Sequence, residues 1–186
     1  MCIRDSPNAQ GLSLRIDWLD IISFADQMPA CMYAGAEMDG GALRGWTRYD
    51  AEQRGQRSVM AVKQDVKLLN DNIVRLTVVE ALRRIMARRE LRVADIDWFL
   101  PHYSSEFFRE RLAAGLAEVD LPIPMARWFT NLTSKGNTGA ASIFIILDEL
   151  FNGGHLRSGQ RLLCYVPESG RFSSAFMHLT VVGDEA

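Results

Sequence analysis

An α/β domain with a mixed, largely parallel sheet is predicted by three observations. Strand-like and helix-like segments alternate along most of the chain. The helical segments repeat apolar residues every three or four positions. The last two strand-like segments follow one another directly, as a hairpin does.

Leu12, Leu14, Ile16 and Trp18 alternate with polar residues and lead into Leu19, Ile21 and Ile22, which places a strand near 12–23. From 34 to 55, glycine, arginine and aspartate interrupt any period, so a long surface excursion is expected there. Val62, Val66, Leu69, Ile73, Leu76, Val79, Leu82 and Met86 then mark one face of a helix over about 60–91. Its end carries Arg83, Arg84, Arg88, Arg89 and Arg92, which complement the helix dipole and would also suit an acidic partner. "IDWFLPH" reads as a buried strand closed by Pro101 and His102. Ser104 is the expected cap of the next helix, with Glu106 in its first turn and Phe108, Leu112, Leu116 and Val119 as its buried stripe. "ARWFTNL" is the next expected strand, "SKGNTG" a turn, and 138–151 a helix stopped by Gly153 and Gly154. "QRLLCYVP" and "SSAFMHLTVV" close the chain as two strands joined through "ESGRF".

The 186 residues, 48% of them hydrophobic, suffice for one domain with a real core, and no internal repeat divides them. A net charge of −2 provides no basic field for nucleic acid. No apolar run approaches the roughly 18–20 residues of a membrane span. The three cysteines, Cys2, Cys31 and Cys164, lack CxxC or Cys/His spacing, so neither a disulfide framework nor a metal site is expected, and a reducing, cytoplasmic setting is. "MCIRDS" has no periodicity; residues 1–10 read as a foreign scar or disordered start, and 11–186 as the domain.

In open α/β sheets ligands bind beyond the carboxyl ends of strands, where His102 and Asn137 both fall. Each has an ordinary structural explanation, His102 as a strand-end hydrogen-bonder and Asn137 as a helix cap. Together, an imidazole donor and a carboxamide donor at a helix N-terminus would form an oxyanion site. His155 after the Gly-Gly stop and His178 within a strand have no partner pattern and are expected to be structural.

"DIDWFLPH", "WFTNLTSKGNTGAASIFIILDEL" and "GQRLLCYV" together resemble the C-terminal half of a β-ketoacyl-acyl carrier protein synthase III, a thiolase-like family. The resemblance implies a thiolase-like C-terminal half-domain and a decarboxylative Claisen condensation of an acyl thioester with malonyl-acyl carrier protein. It places the family's catalytic His and Asn at His102 and Asn137. It implies no cofactor beyond coenzyme A or carrier-protein thioesters as substrates, a homodimer when full length, and contact of acyl carrier protein with Arg109 and Arg111, which solvated helix charge also explains. It also implies that Gly139, Ala140, Ala141 and Ser142 keep the helix slim where it packs on a pseudo-symmetric partner.

The chain departs from the family at three places. Its "PHYSSEFF" puts Ser105 where the family has the Asn of "PHQAN", and "PESGRFS" replaces a glycine-rich loop. Ser105 and Gly170 are the expected substrate-binding positions there, while Glu168 and Arg171 add charge that points to a specialised substrate, as in aryl polyene or dialkylresorcinol biosynthesis. The family's nucleophilic cysteine has no counterpart: Cys31 lies too near His102 along the chain and lacks an activating context, and Cys164 belongs to an apolar strand. A fragment inactive alone, whose nucleophile-bearing N-terminal half is elsewhere, is therefore expected. The alternative is a non-catalytic thiolase-like partner subunit of an active synthase.

Overall fold

The structure, a computed structural model, describes residues 10–183, so the expected foreign or disordered start and Cys2 lie outside the described residues except for Gln10. The alternating segment near the start forms β1 (Ser13–Ser23). The excursion at 34–55 is more ordered than its composition indicates. It follows β2 (Met32–Tyr33) and holds a hairpin of β3 (Ala36–Asp39) and β4 (Ala42–Gly45), then α1 (Ala51–Gln56), whose Asp50 and Gln53 form a reciprocal cap. Gly40 and Gly41, at φ of 57° and 81°, supply the left-handed turn that this hairpin requires.

The long helix begins later than the apolar spacing predicts. β5 (Lys63–Gln64) pairs with β2, and the Asp65 carboxylate caps the following turn by accepting from Leu68 N at 2.8 Å. α2 (Val66–Val74), a π-helical segment (Arg75–Glu80) and α3 (Ala81–Met86) then run continuously. Within the π segment the buried Thr77 hydroxyl reaches Ile73 O and lies 2.6 Å from the Tyr165 hydroxyl. A wide turn leaves room for that pair, which periodicity does not reveal.

β6 (Trp98–Pro101) is the strand expected of "IDWFLPH". Ser105, not Ser104, caps the next turn by accepting from Phe107 N, after which α4 (Arg109–Glu118) begins. "ARWFTNL" is not a strand. Pro122 and Pro124 lead into a 3₁₀ turn at Met125–Arg127, and only Trp128 bridges to Phe99 before α5 (Leu132–Lys135). The Trp128 indole N–H donates to Ile123 O at 3.0 Å, and Phe129 N donates to Phe99 O at 2.9 Å, so local and long-range bonds fix the segment without a full ladder. α6 (Ser142–Asn152) ends at Gly153, and β7 (Arg161–Glu168) and β8 (Ser173–Val182) form the expected hairpin.

The sheet order is β1-β8-β7-β6. β1, β6 and β7 run one way and β8 opposes them, so the sheet is mixed and largely parallel in direction. Because β8 inserts between β1 and β7, however, two neighbouring pairs are antiparallel where the sequence pointed to one.

Strand alternation divides the core into two layers. Phe99, Leu163, Tyr165 and Phe176 face α2, α3 and α4, while Leu100, Leu162, Cys164, Leu179 and Val181 face α6. Burial on both faces explains why β7 reads as an unbroken apolar run. Truncating Leu100, which is fully buried, to Ala would cost about 2–5 kcal/mol.

Candidate active site

His102 follows β6 directly, and its backbone N–H donates to Tyr165 O at 2.8 Å, extending the ladder to β7 by one bond. The ladder therefore delivers the ring to the carboxyl end of the sheet. The imidazole is buried, and among the described residues it has no hydrogen-bond partner. Burial holds its pKa below the ordinary 6.5, so the ring is neutral at pH 7, with one nitrogen a donor and the other an acceptor.

Asn137 comes from the segment that follows α5. It lies in the exposed stretch before a 3₁₀ turn (Gly139–Ala141), and the α-helix proper starts only at Ser142. Its position at the mouth of an α-helix is therefore corrected by one turn. The Ser142 hydroxyl accepts from Thr138 N at 3.2 Å and lies 2.9 Å from Thr138 Oγ1, which draws the chain inward at that point. Asn137 Oδ1 accepts from Gly139 N at 2.9 Å. This bond orients the carboxamide and leaves its NH₂ without a partner among the described residues.

The two residues, 35 positions apart in sequence, line one cavity of about 420 Å³. Leu69, Ile73, Val74, Phe108 and Leu112 make its helical wall, and Tyr165, Val166 and Pro167 its strand wall. Gln64, Tyr103, Ser104, Glu168 and Ser169 add polar atoms. Few polar groups converging in an apolar cavity is the usual composition of a small-molecule site. Gln64 and Tyr103 carried no signal in the sequence, although Tyr103 adjoins His102. Leu69 and Ile73 showed the core periodicity, which does not distinguish a core face from a cavity wall.

Other expected positions fall beside the cavity. The Ser105 hydroxyl is occupied as a cap, while its neighbour Ser104 lines the wall. Gly170 lies behind the wall: its N–H donates to the Glu168 carboxylate, and its carbonyl accepts from Cys31 N at 2.7 Å. Arg109 and Arg111 stand on the outer surface, Arg109 3.7 Å from Glu106 and Arg111 4.1 Å over the exposed Phe107 ring. Of the small residues near Asn137, Ser142 is buried, and Gly139 has no neighbour among the described residues within 4 Å of the place of a side chain. Gly139 has φ of 62°, which favours glycine whatever the space. Ala140 and Ala141 are exposed.

Both described cysteines are buried thiols. Burial pushes the Cys31 thiol up, and the charges of Asp65 and Glu168 add to the shift; its Sγ meets Asp65 O at 3.3 Å. Burial drives Cys164 up to about 12. Neither forms a thiolate readily. His178 bonds Asp17 through Nδ1 at 2.9 Å and stacks on Trp18, and His155 packs near Trp98 and Phe129, in keeping with structural roles.

Residues 86–174 match the family profile described as 3-oxoacyl-[acyl-carrier-protein (ACP)] synthase III C terminal. The profile covers just under half of the chain, which resembles the C-terminal half of a synthase III-like protein and shares a thiolase-like fold. It is 30% identical to a β-ketoacyl-[acyl-carrier-protein] synthase III of Laribacter hongkongensis across 91% of this chain and 56% of that protein. It is 38% identical over 84 residues to synthase III 3 of Streptomyces coelicolor, a match covering 45% of this chain and 24% of that one. At most, then, the chain spans about half the length of these relatives. Among solved structures, the tetronic acid condensing enzyme AbyA1 superposes with a TM-score of 0.63 at 17% identity, over 90% of this chain and 45% of that one. The FabH synthase III of Pseudomonas aeruginosa gives 0.60 at 21%, over 90% and 46%. At these identities the structural likeness establishes the fold.

Proposed function

We propose that this chain supplies the enolate-binding half of an acyltransferase that condenses an acyl thioester with malonyl-acyl carrier protein, in fatty-acid or specialised secondary metabolism of the cytoplasm. The observation that supports the reading is the shared cavity of His102 and Asn137, each with a side-chain donor that has no partner among the described residues. When malonyl thioester loses CO₂, negative charge gathers on the thioester oxygen. Two fixed donors in an apolar wall stabilise that enolate more than the ground-state carbonyl, which lowers the barrier. Neutral His102 can donate without carrying charge into the site. The chain is expected not to condense alone, so the test is the partial reaction that needs no cysteine, malonyl-thioester decarboxylation by the purified chain. His102→Ala and Asn137→Ala should each lower the rate by about 10²–10³-fold, and rates equal to the wild type would refute the reading.

Arg109 and Arg111, in the first turn of the helix α4 that walls the cavity, would receive the acidic carrier protein. Reversing both charges to Glu should weaken carrier-protein binding measured by calorimetry, and unchanged affinity would remove the assignment. The homodimer implied by the resemblance belongs to the same reading.

The buried, protonated Cys31 and Cys164 favour a second reading, a thiolase-like subunit that shapes the pocket of an active synthase without transferring the acyl group itself. The decarboxylation assay separates the two: a rate that depends on His102 and Asn137 supports the first reading, and a rate that neither substitution changes supports the partner role.

A further inference from the structure

The electrostatics of the cavity wall are one-sided. Of the residues lining it, Glu168 is the one with a formal charge at neutral pH, since burial keeps His102 neutral and no Lys or Arg contributes to the wall. The Glu168 carboxylate is held in place. It accepts from the backbone N–H of Gly170 and, at 3.2 Å, from that of Arg171. A Cβ at position 170 would collide with its Oε1, so glycine at that position is what lets the carboxylate fold over its own turn. Each carboxylate oxygen keeps lone pairs beyond those two bonds, so an incoming donor can still be accepted. The charge also reaches the protein behind the wall, where it adds to the upward shift that burial imposes on the Cys31 thiol.

We propose that Glu168 sets the charge specificity of this cavity, admitting acyl groups that are neutral or end in a cationic or hydrogen-bond-donating group and rejecting those that end in a carboxylate. The proposal rests on the reading of the cavity as an acyl-thioester site. Glu168 is exposed, so a second anion placed beside it would meet a partly solvated negative charge whose repulsion is felt most at low ionic strength. The malonyl carboxylate is a different case. It departs as neutral CO₂, so its repulsion is relieved along the reaction, whereas a carboxylate at the end of the acyl chain would persist through every step.

The test measures binding of three non-hydrolysable pantetheine amides to the 186-residue chain: the hexanoyl, aminohexanoyl and adipoyl analogues. They differ in the terminal group, which is neutral, cationic or anionic. At low salt the adipoyl analogue should bind about two- to fivefold more weakly than the hexanoyl, the aminohexanoyl at least as tightly as the hexanoyl, and the adipoyl deficit should shrink as salt screens the repulsion. Glu168→Gln, which keeps an acceptor for the Gly170 N–H, should abolish the deficit. Equal affinities in the wild type, or a deficit that survives both Glu168→Gln and high salt, would overturn the proposal while leaving the thioester site standing. If none of the three analogues binds, the site itself falls and the proposal falls with it. The salt series on the wild-type chain decides the matter even if the variant does not fold.

Discussion

His102 couples its surroundings to pH through burial. Its folded pKa lies below the ordinary 6.5, so between those two values the unfolded chain binds a proton that the native chain does not. Stability therefore rises with pH across that interval. The expected outcome is a loss of unfolding free energy as pH falls through about 6.5, levelling off below the folded pKa. Denaturant titrations of the wild type and His102→Gln at a series of pH values should differ in that window. Parallel curves would show that His102 contributes no such slope. At Asn137 the decisive feature is one bond to Gly139 N, which fixes the direction of the carboxamide. The sequence marked both residues through their neighbourhood, but it did not show that Ser105 would be spent as a cap or that Gly170 would stand behind the wall.

The cavity depends at the element scale on how closely α4 approaches α2 and the π segment. Gly115 makes that approach possible: a Cβ there would lie 2.7 Å from Val74 Cγ1 and 3.5 Å from Val78 and Val79. Gly115→Ala should destabilise the protein by ~1–3 kcal/mol through overpacking, measured by chemical denaturation. Because Val74 and Leu112 also line the cavity, the same change should weaken ligand binding there. An Ala variant as stable as the wild type would show that the helices part at no cost. Periodicity made these helices legible, since apolar spacing reports a buried stripe. It could not show the π segment, whose width accommodates Thr77 and Tyr165, partners 88 residues apart.

At the scale of the whole molecule, the described sheet ends in β1, which pairs with β8 alone and exposes Ile16 at 62%, Leu19 at 52% and Ile21 at 70%. An apolar edge strand with open backbone groups invites association. Purified chain should self-associate with rising concentration in light scattering, and Ile16→Lys with Ile21→Lys should reduce it. A concentration-independent monomer would count against an exposed, adhesive edge. Among the described residues no helix is long and apolar enough to cross a membrane. The amino-acid order by itself determined the alternation of helices and strands, the closing hairpin and the candidacy of His102 and Asn137, because apolar period, turn residues and caps act over a few neighbouring positions. Tertiary structure alone decided the insertion of β8 between β1 and β7, the loss of "ARWFTNL" as a strand, and the Glu168 carboxylate as the charged group of the cavity wall. Those outcomes depend on contacts between distant segments, which no local period encodes.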